Sequence, residues 1–241
     1  IKNQIHKVHE GDLFISNNEE EIDEAIKKGA FGIIFDIDLD ISDTEIAWIK
    51  VKNINLTVSQ LIRFKLSNIE LKAYYCNNIS FEILKVFVKQ NDETIRLISN
   101  TLEDEVDIFN NPENIKIIIC QNKQMLNDIY PNNFNFNTNT YSIKNLIEHS
   151  LFETTFSCGN NYFSRLKLPS LYINDFLTVY SFLNNDLDIN RLKKLNSFNP
   201  FFIDKYLKMI DYGNSDKFIL SHTNTTNEEI EINHLKQKYK Y

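Results

Sequence analysis

The chain has 241 residues, enough for one large domain or two small ones. Acidic residues outnumber basic ones by 33 to 26, and the formal net charge is −7. A chain of this charge is not expected to coat nucleic acid or to bind a membrane through a basic patch. Its hydrophobic fraction of 42% is typical of a globular protein, and it contains no apolar run of about 18 residues that would predict insertion into a membrane.

The first part of the chain alternates between strand and helix patterns. The run at residues 31–35 is continuously apolar, which is typical of a strand buried on both faces of a parallel sheet. Thr57 is a candidate N-cap for the helix that ends near residue 66. This order predicts βαβ units and therefore an α/β fold. Strands are predicted at 13–15, 31–35 and 47–51, and an amphipathic helix at 19–28.

From residue 70 the alternation continues, and an Asn-rich stretch at 130–141 predicts a loop. Beyond it, Gly159 lies between two alternating runs that predict a β-hairpin. We place a domain boundary near residue 69, which gives domains at 1–69 and 70–241. The predicted elements are strands at 71–76, 94–98 and 115–120, helices at 79–88, 102–109 and 123–129, a helix from Pro169 to Leu183, a short helix at 188–195, a second hairpin at 201–212, a strand at 217–221 and a terminal helix at 227–238.

Cys76, Cys120 and Cys158 are widely spaced and odd in number. Such a set predicts neither a disulfide framework nor a zinc site, and it is typical of reduced thiols in the cytoplasm. An acidic loop at 36–43 lacks the glycine and the spaced glutamate of an EF-hand, so a solvated loop is the simpler interpretation. We therefore expect a cytoplasmic protein without a bound metal.

The segment from Lys7 to Ile15 reads K-V-H-E-G-D-L-F-I. It resembles the K-V-x-x-G-D-L-F-x signature of the N-terminal domain of the Mur ligases, in particular MurE and MurF, and the resemblance covers about residues 4–69. In that family this domain holds the UDP end of UDP-N-acetylmuramoyl-peptide. The resemblance thus implies a residual UDP-sugar site at His6, Lys7 and Asp12, although the family's D-S-R is replaced here by Gln4-Ile5-His6.

The P-loop of the Mur ligases, T-G-S/T-x-G-K-S/T, falls on a degenerate segment. Its two glycine positions carry Asn77 and Ser80, its lysine is Phe81, and its magnesium-binding hydroxyl is Glu82. Side chains at the glycine positions obstruct the backbone cradle for a phosphate. A carboxylate about 4 Å from a phosphate charge costs roughly 4 kcal/mol. We predict no ATP chemistry and no cofactor, and we interpret Asn77-Asn78 as a turn, because asparagine tolerates positive φ.

Weaker similarity returns between residues 152 and 200, where the family has the end of its central domain. The resemblance implies a small Mur-ligase-like N-terminal domain followed by a reduced central-domain-like domain with a C-terminal hairpin and helix. Exposed tyrosines are expected to mark a protein-binding face in this second domain. The candidates are Tyr162, Tyr172, Tyr180, Tyr206 and Tyr212.

These observations predict a catalytically inactive Mur ligase-like protein. Its expected role is binding or scaffolding in peptidoglycan and cell-wall synthesis, with a protein partner from that machinery. One alternative is an enzyme that binds a UDP-sugar or a nucleotide through the N-terminal domain without ATP chemistry. A ligase without a P-loop that is activated by a partner subunit is a further alternative.

Overall fold

The computed structural model describes residues 1–41, 43–88, 93–99, 101–136, 141–184, 187–221 and 227–238. The chain divides into two compact units, which consist of residues 1–75 with 92–135 and of residues 76–91 with 136–241. Both units combine helices with strands, so the predicted α/β class is confirmed. Within the described ranges, no helix is both long enough and apolar enough to cross a membrane.

The helices and strands are numbered here in chain order. They are β1 (Leu13–Ile15), α1 (Glu19–Lys27), β2 (Gly32–Phe35), β3 (Ala47–Lys50), α2 (Ile54–Leu66), β4 (Lys72–Tyr75), α3 (Asn78–Phe87), β5 (Ile95–Ile98), α4 (Leu102–Asn110), β6 (Ile117–Cys120), α5 (Lys123–Ile129), β7 (Asn133–Asn135), β8 (Ile143–Ser150), β9 (Glu153–Cys158), β10 (Asn161–Leu166), α6 (Ile173–Phe182), β11 (Asn199–Phe202), β12 (Phe218–Ser221) and α7 (Glu228–Lys238). Short 3-10 helices lie at Ile5–Lys7, Ser170–Tyr172 and Ile189–Lys194.

The first sheet of unit 1 is parallel and has the strand order β1-β2-β3. The apolar run predicted at 31–35 forms its central strand, which begins at Gly32, and Phe31 just before it is 62% exposed. A Cβ on Gly32 would lie 2.9 Å from Cδ1 of Leu13, so a larger residue there would require the Leu13 side chain to move. The prediction of a central buried strand is confirmed.

The second sheet of unit 1 is also parallel, with the order β5-β6-β4-β7. Its edge strand β7 lies inside the Asn-rich stretch that was predicted to be a loop. Asparagine has a low β propensity, but pairing with β4 supplies backbone hydrogen bonds that no local pattern reveals. Residues 137–140 of that predicted loop lie outside the described residues.

One hydrophobic core joins the first 69 residues to the second sheet. Ile62 and Leu66 of α2 are fully buried in the same cluster as Ile118 and Leu126. Helix α2 packs against α4 and α5. Burying a side chain of this size stabilises the fold by about 1.5–3 kcal/mol. The contacts therefore group residues 70–75 and 92–135 with the first 69 residues, whereas the boundary expected from the sequence lies near residue 69.

Asparagine side chains cap several helices. Asn18, Asn53, Asn77 and Asn122 accept hydrogen bonds from first-turn amides of α1, α2, α3 and α5. The cap predicted at Thr57 is wrong, because α2 begins at Ile54 after Asn53, and the Thr57 hydroxyl donates to the Asn53 carbonyl at 2.9 Å. Each cap satisfies an amide that has no partner in the helix, which is worth about 1 kcal/mol.

Unit 2 contains a three-stranded antiparallel sheet with the order β10-β9-β8. The hairpin predicted around Gly159 is confirmed, since Cys158 pairs with Asn161 and Gly159 has a φ of +57°. Strand β8 was not predicted, because its side chains are mostly exposed and show no apolar face. Helices α3 and α6 pack against each other. Aromatic rings fill this unit, among them Phe87, Phe156, Phe163 and Phe176.

The C-terminal hairpin differs from the prediction. Strand β11 pairs with β12 in an antiparallel two-stranded sheet, so the turn between them is much longer than the hairpin predicted at 201–212. Within that predicted hairpin, a single bridge between Ile203 and Met209 is present. The helix predicted from Pro169 begins as a 3-10 turn and becomes α-helical at Ile173.

Candidate functional site

The segment that the sequence resemblance aligns with the P-loop forms an ordinary helix start. Asn77 has φ −72° and ψ 166°, and its Oδ1 accepts a hydrogen bond from the Ser80 amide at 2.8 Å. Asn78 is the first residue of α3. The interpretation of Asn77-Asn78 as a positive-φ turn is therefore wrong: Asn77 is an extended N-cap residue.

A carboxylate that sequence reasoning missed is bound at this helix start. Oδ1 of Asp175 on α6 accepts from Nδ2 of Asn77 at 2.7 Å and from Oγ of Ser80 at 3.1 Å. Both glycine positions of the family motif thus carry side chains that bind the same acidic group. A negative charge at this place opposes a phosphate. No sequence signal pointed to Asp175, because it follows Ser80 by 95 residues.

The residues at the lysine and hydroxyl positions of the family motif, Phe81 and Glu82, also make other contacts. Phe81 is fully buried, with an exposed fraction of 0%. The Lys85 ammonium lies 5.0 Å from the centre of the Phe81 ring, and it forms an ion pair of 2.9 Å with Oε1 of Glu82. The side chains of Phe81 and Glu82 therefore stabilise α3 and the interior of unit 2, and they offer no cation to a phosphate.

The residues proposed for a UDP-sugar site lie at the start of unit 1. His6 and Lys7 are exposed on the 3-10 helix, and Nζ of Lys7 binds Oε1 of Glu103 at 3.0 Å. This ion pair holds the pKa of Glu103 below its ordinary value. Oδ2 of Asp12 accepts from the His9 amide at 2.9 Å. Lys7 and Asp12 are thus bound to different neighbours within the protein.

The acidic loop has structural contacts of its own. Asp36 accepts a hydrogen bond from the Ile54 amide at 3.1 Å, Asp38 pairs with Lys50, and Asp43 accepts from the Glu45 amide at 2.8 Å. In the described part of the chain, no group of three or more His, Cys, Asp or Glu side chains is arranged to hold a metal ion.

Large apolar side chains are exposed on β11, on β12 and in the segment that connects them. We call this patch the C-terminal hairpin surface, and Phe201 and Ile219 face each other across it as paired residues. Of the tyrosines proposed to mark a binding face, Tyr162, Tyr206 and Tyr212 are exposed, whereas Tyr172 is buried and Tyr180 half-buried. The surface consists of Phe201, Tyr206, Leu207, Met209 and Ile219.

Leu207 has an unusual backbone conformation. Its φ of +63° lies in the left-handed region, and its side chain is 76% exposed. A leucine there is sterically unfavourable, and an exposed leucine gains little from burial. Folding alone would favour Gly or Asn at this position.

Comparison with known proteins supports a shared fold. No family model and no curated protein sequence matches the chain. A MurF ligase from Thermotoga maritima, solved in complex with ADP, is 16% identical over 84% of this chain and 68% of its own, with a TM-score of 0.51. The UDP-N-acetylmuramoylalanyl-D-glutamyl-2,6-diaminopimelate–D-alanyl-D-alanyl ligase from Acinetobacter baumannii is 10% identical over 85% of this chain and 66% of its own, with a TM-score of 0.50.

A further structure of MurF from Acinetobacter baumannii gives 10% identity and a TM-score of 0.50, over 85% of this chain and 65% of its own. The chain thus spans about two thirds of the length of these solved enzymes. Identities this low establish the fold alone. The resemblance found in the sequence is confirmed at that level: this chain has the fold of the Mur ligases.

Proposed function

We propose that this protein is a catalytically inactive Mur ligase-like protein that binds a protein partner in peptidoglycan synthesis. The observation that supports the loss of catalysis is the complete burial of Phe81 at the position of the P-loop lysine. In the P-loop motif that lysine reaches the β- and γ-phosphates. Burial of the Phe81 ring stabilises the fold by about 2–3 kcal/mol, so this position serves packing instead.

The charges around this helix start also oppose ATP. Asp175 and Glu82 are acidic, and the Lys85 ammonium is already paired with Glu82. One unfavourable carboxylate costs roughly 4 kcal/mol, which corresponds to about three decades in affinity. A protein of this fold that does not bind ATP can still act by binding other molecules at its surface. We propose that it acts in this way in the cytoplasm.

The C-terminal hairpin surface is the proposed partner site. Exposed apolar side chains that cluster on one short segment are typical of protein-binding surfaces. Leu207 and Met209 are exposed by 76% and 71%, and the strained φ of Leu207 brings no benefit to folding. Both observations favour selection for contact with another protein.

The test is affinity capture from the cytoplasm of the source organism with the full chain. We expect specific partners with the wild type and their loss with the double variant Leu207→Asn, Met209→Ser. Phe64→Ser is the matched control, because Phe64 is 77% exposed on unit 1 and lies outside the surface. If the double variant retains every partner of the wild type, or if Phe64→Ser loses the same ones, the proposed surface is wrong.

A further inference from the structure

A pocket of about 310 Å³ in unit 1 lies where α2, α4 and α5 begin. Leu102 in its wall follows β5 closely, and Asn122 follows β6. Ligands of open parallel sheets bind beyond the carboxyl ends of the strands, and this pocket occupies that position. Its volume is at the lower end of the range for small-molecule sites.

The wall of this pocket contains a buried carboxyl group. Glu105 on α4 is only 5% exposed. In the described part of the chain its carboxyl has one hydrogen bond, a long one of 3.4 Å from Oγ of Ser59. A carboxylate can accept several hydrogen bonds, and a buried one without a cationic partner is costly. The fold therefore leaves acceptor capacity at Glu105 that a ligand in the pocket can use.

The other groups around Glu105 are polar or acidic. The ionisable groups that face it are Asp104 on its own helix and the Cys120 thiol on β6, while Asp128 of α5 lines the same pocket. Helix α2 contributes Ser59, which is uncharged. The lining contains no Lys, Arg or His, and its two acidic side chains, Glu105 and Asp128, complement a cation that donates hydrogen bonds.

The helix starts at this pocket do not offer their capped amides to an anion. Asn53 accepts from the Leu56 amide at 2.8 Å, and Asn122 accepts from the Met125 amide at 3.1 Å. At α4, the Thr101 hydroxyl accepts from the Asp104 amide. These three donors are already bound inside the protein, whereas the buried Glu105 carboxyl keeps acceptor capacity for a ligand.

We propose that this pocket binds a small organic cation, a primary ammonium compound without a carboxylate, through an ion pair with Glu105. The proposal is independent of the function proposed above, since it uses no residue of the C-terminal hairpin surface or of the α3 start. Burial raises the pKa of Glu105 to about 7, and only the ionised form pairs with an ammonium group. Apparent affinity should therefore fall about tenfold between pH 8 and pH 6.

The test uses ethylammonium chloride as the probe and the full chain labelled for NMR spectroscopy. A ligand of this size is expected to bind with a dissociation constant of about 1–10 mM. Saturable shifts are expected for the amides of Ser59, Glu105 and Gln124, and the carbon signal of the Glu105 carboxyl should titrate at lower pH when the probe is bound. Tetramethylammonium, which donates no hydrogen bond, and acetate should give neither effect.

Glu105→Gln removes the charge at nearly constant shape and should abolish the saturable shifts. Glu103→Gln, an exposed position on the same helix, should retain them. The titration of Glu105 in the wild type does not depend on how either variant folds. An unchanged Glu105 titration at about 50 mM ethylammonium would overturn the proposal, because that concentration exceeds the expected dissociation constant. Equal binding by Glu105→Gln would overturn it as well.

Discussion

Replacing Glu105 with glutamine should stabilise unit 1 at alkaline pH and much less at acidic pH. Burial raises the pKa of this carboxyl from an ordinary value of 4.5 to about 7. Well below pH 4.5 the group is protonated in both the folded and the unfolded chain, so it imposes no penalty. As the pH rises towards 7 only the unfolded chain ionises freely, and the folded state loses about 3 kcal/mol, a loss that stays constant at higher pH.

Glutamine never ionises, so the variant escapes this loss. We expect Glu105→Gln to gain less than about 1 kcal/mol at pH 5 and about 3 kcal/mol at pH 8.5 in the free energy of unfolding. Trp48, the one tryptophan of the chain, lies on β3 in unit 1, so its fluorescence during urea denaturation follows the unit that contains Glu105. Glu103→Gln is the control, and its effect should not increase in this way. A gain that is equal at both pH values, or a loss at pH 8.5, would refute the reasoning.

Further substitutions test the α3 start and the C-terminal hairpin. Phe81→Lys should lower the free energy of unfolding by about 3–5 kcal/mol, because it places a charge in a fully buried site, and it should not produce ATP binding in a calorimetric titration. Asn77→Ala should cost about 1 kcal/mol in urea denaturation, since it removes the cap on the Ser80 amide. Leu207→Asn should raise stability by about 0.5–1 kcal/mol, because asparagine tolerates the φ of +63° at this exposed position; a loss of that size would show that Leu207 serves folding after all.

Much of the α/β fold could be predicted from apolar runs. The central strand β2 and the strand β6 are short, continuous and buried, so their sequence pattern is local and strong. Strands β7 and β8 were missed, because one is Asn-rich and the other exposes nearly all its side chains. Strand β7 pairs with β4, which is distant in the chain, and β8 is held by backbone hydrogen bonds to β9. No local side-chain pattern encodes either pairing.

The candidate site could likewise be predicted only in part from the sequence. The departure from the P-loop motif could be read directly from Asn77, Phe81 and Glu82. The hydrogen bonds from Asn77 and Ser80 to Asp175 could not be predicted, because Asp175 lies nearly a hundred positions from both residues in the chain. Glu105 was missed for a related reason: its position after an N-cap is typical of a solvated first helical turn, whereas the packing of α4 against α2 buries it.

The proposal that this chain of Mur ligase fold does not use ATP is tested most directly by isothermal titration calorimetry of the full chain with Mg-ATP. The side chains at the former glycine positions and the acidic groups Asp175 and Glu82 predict no saturable heat and a dissociation constant weaker than about 1 mM. A dissociation constant near 10 μM or tighter, about two decades below that limit, would contradict the claim.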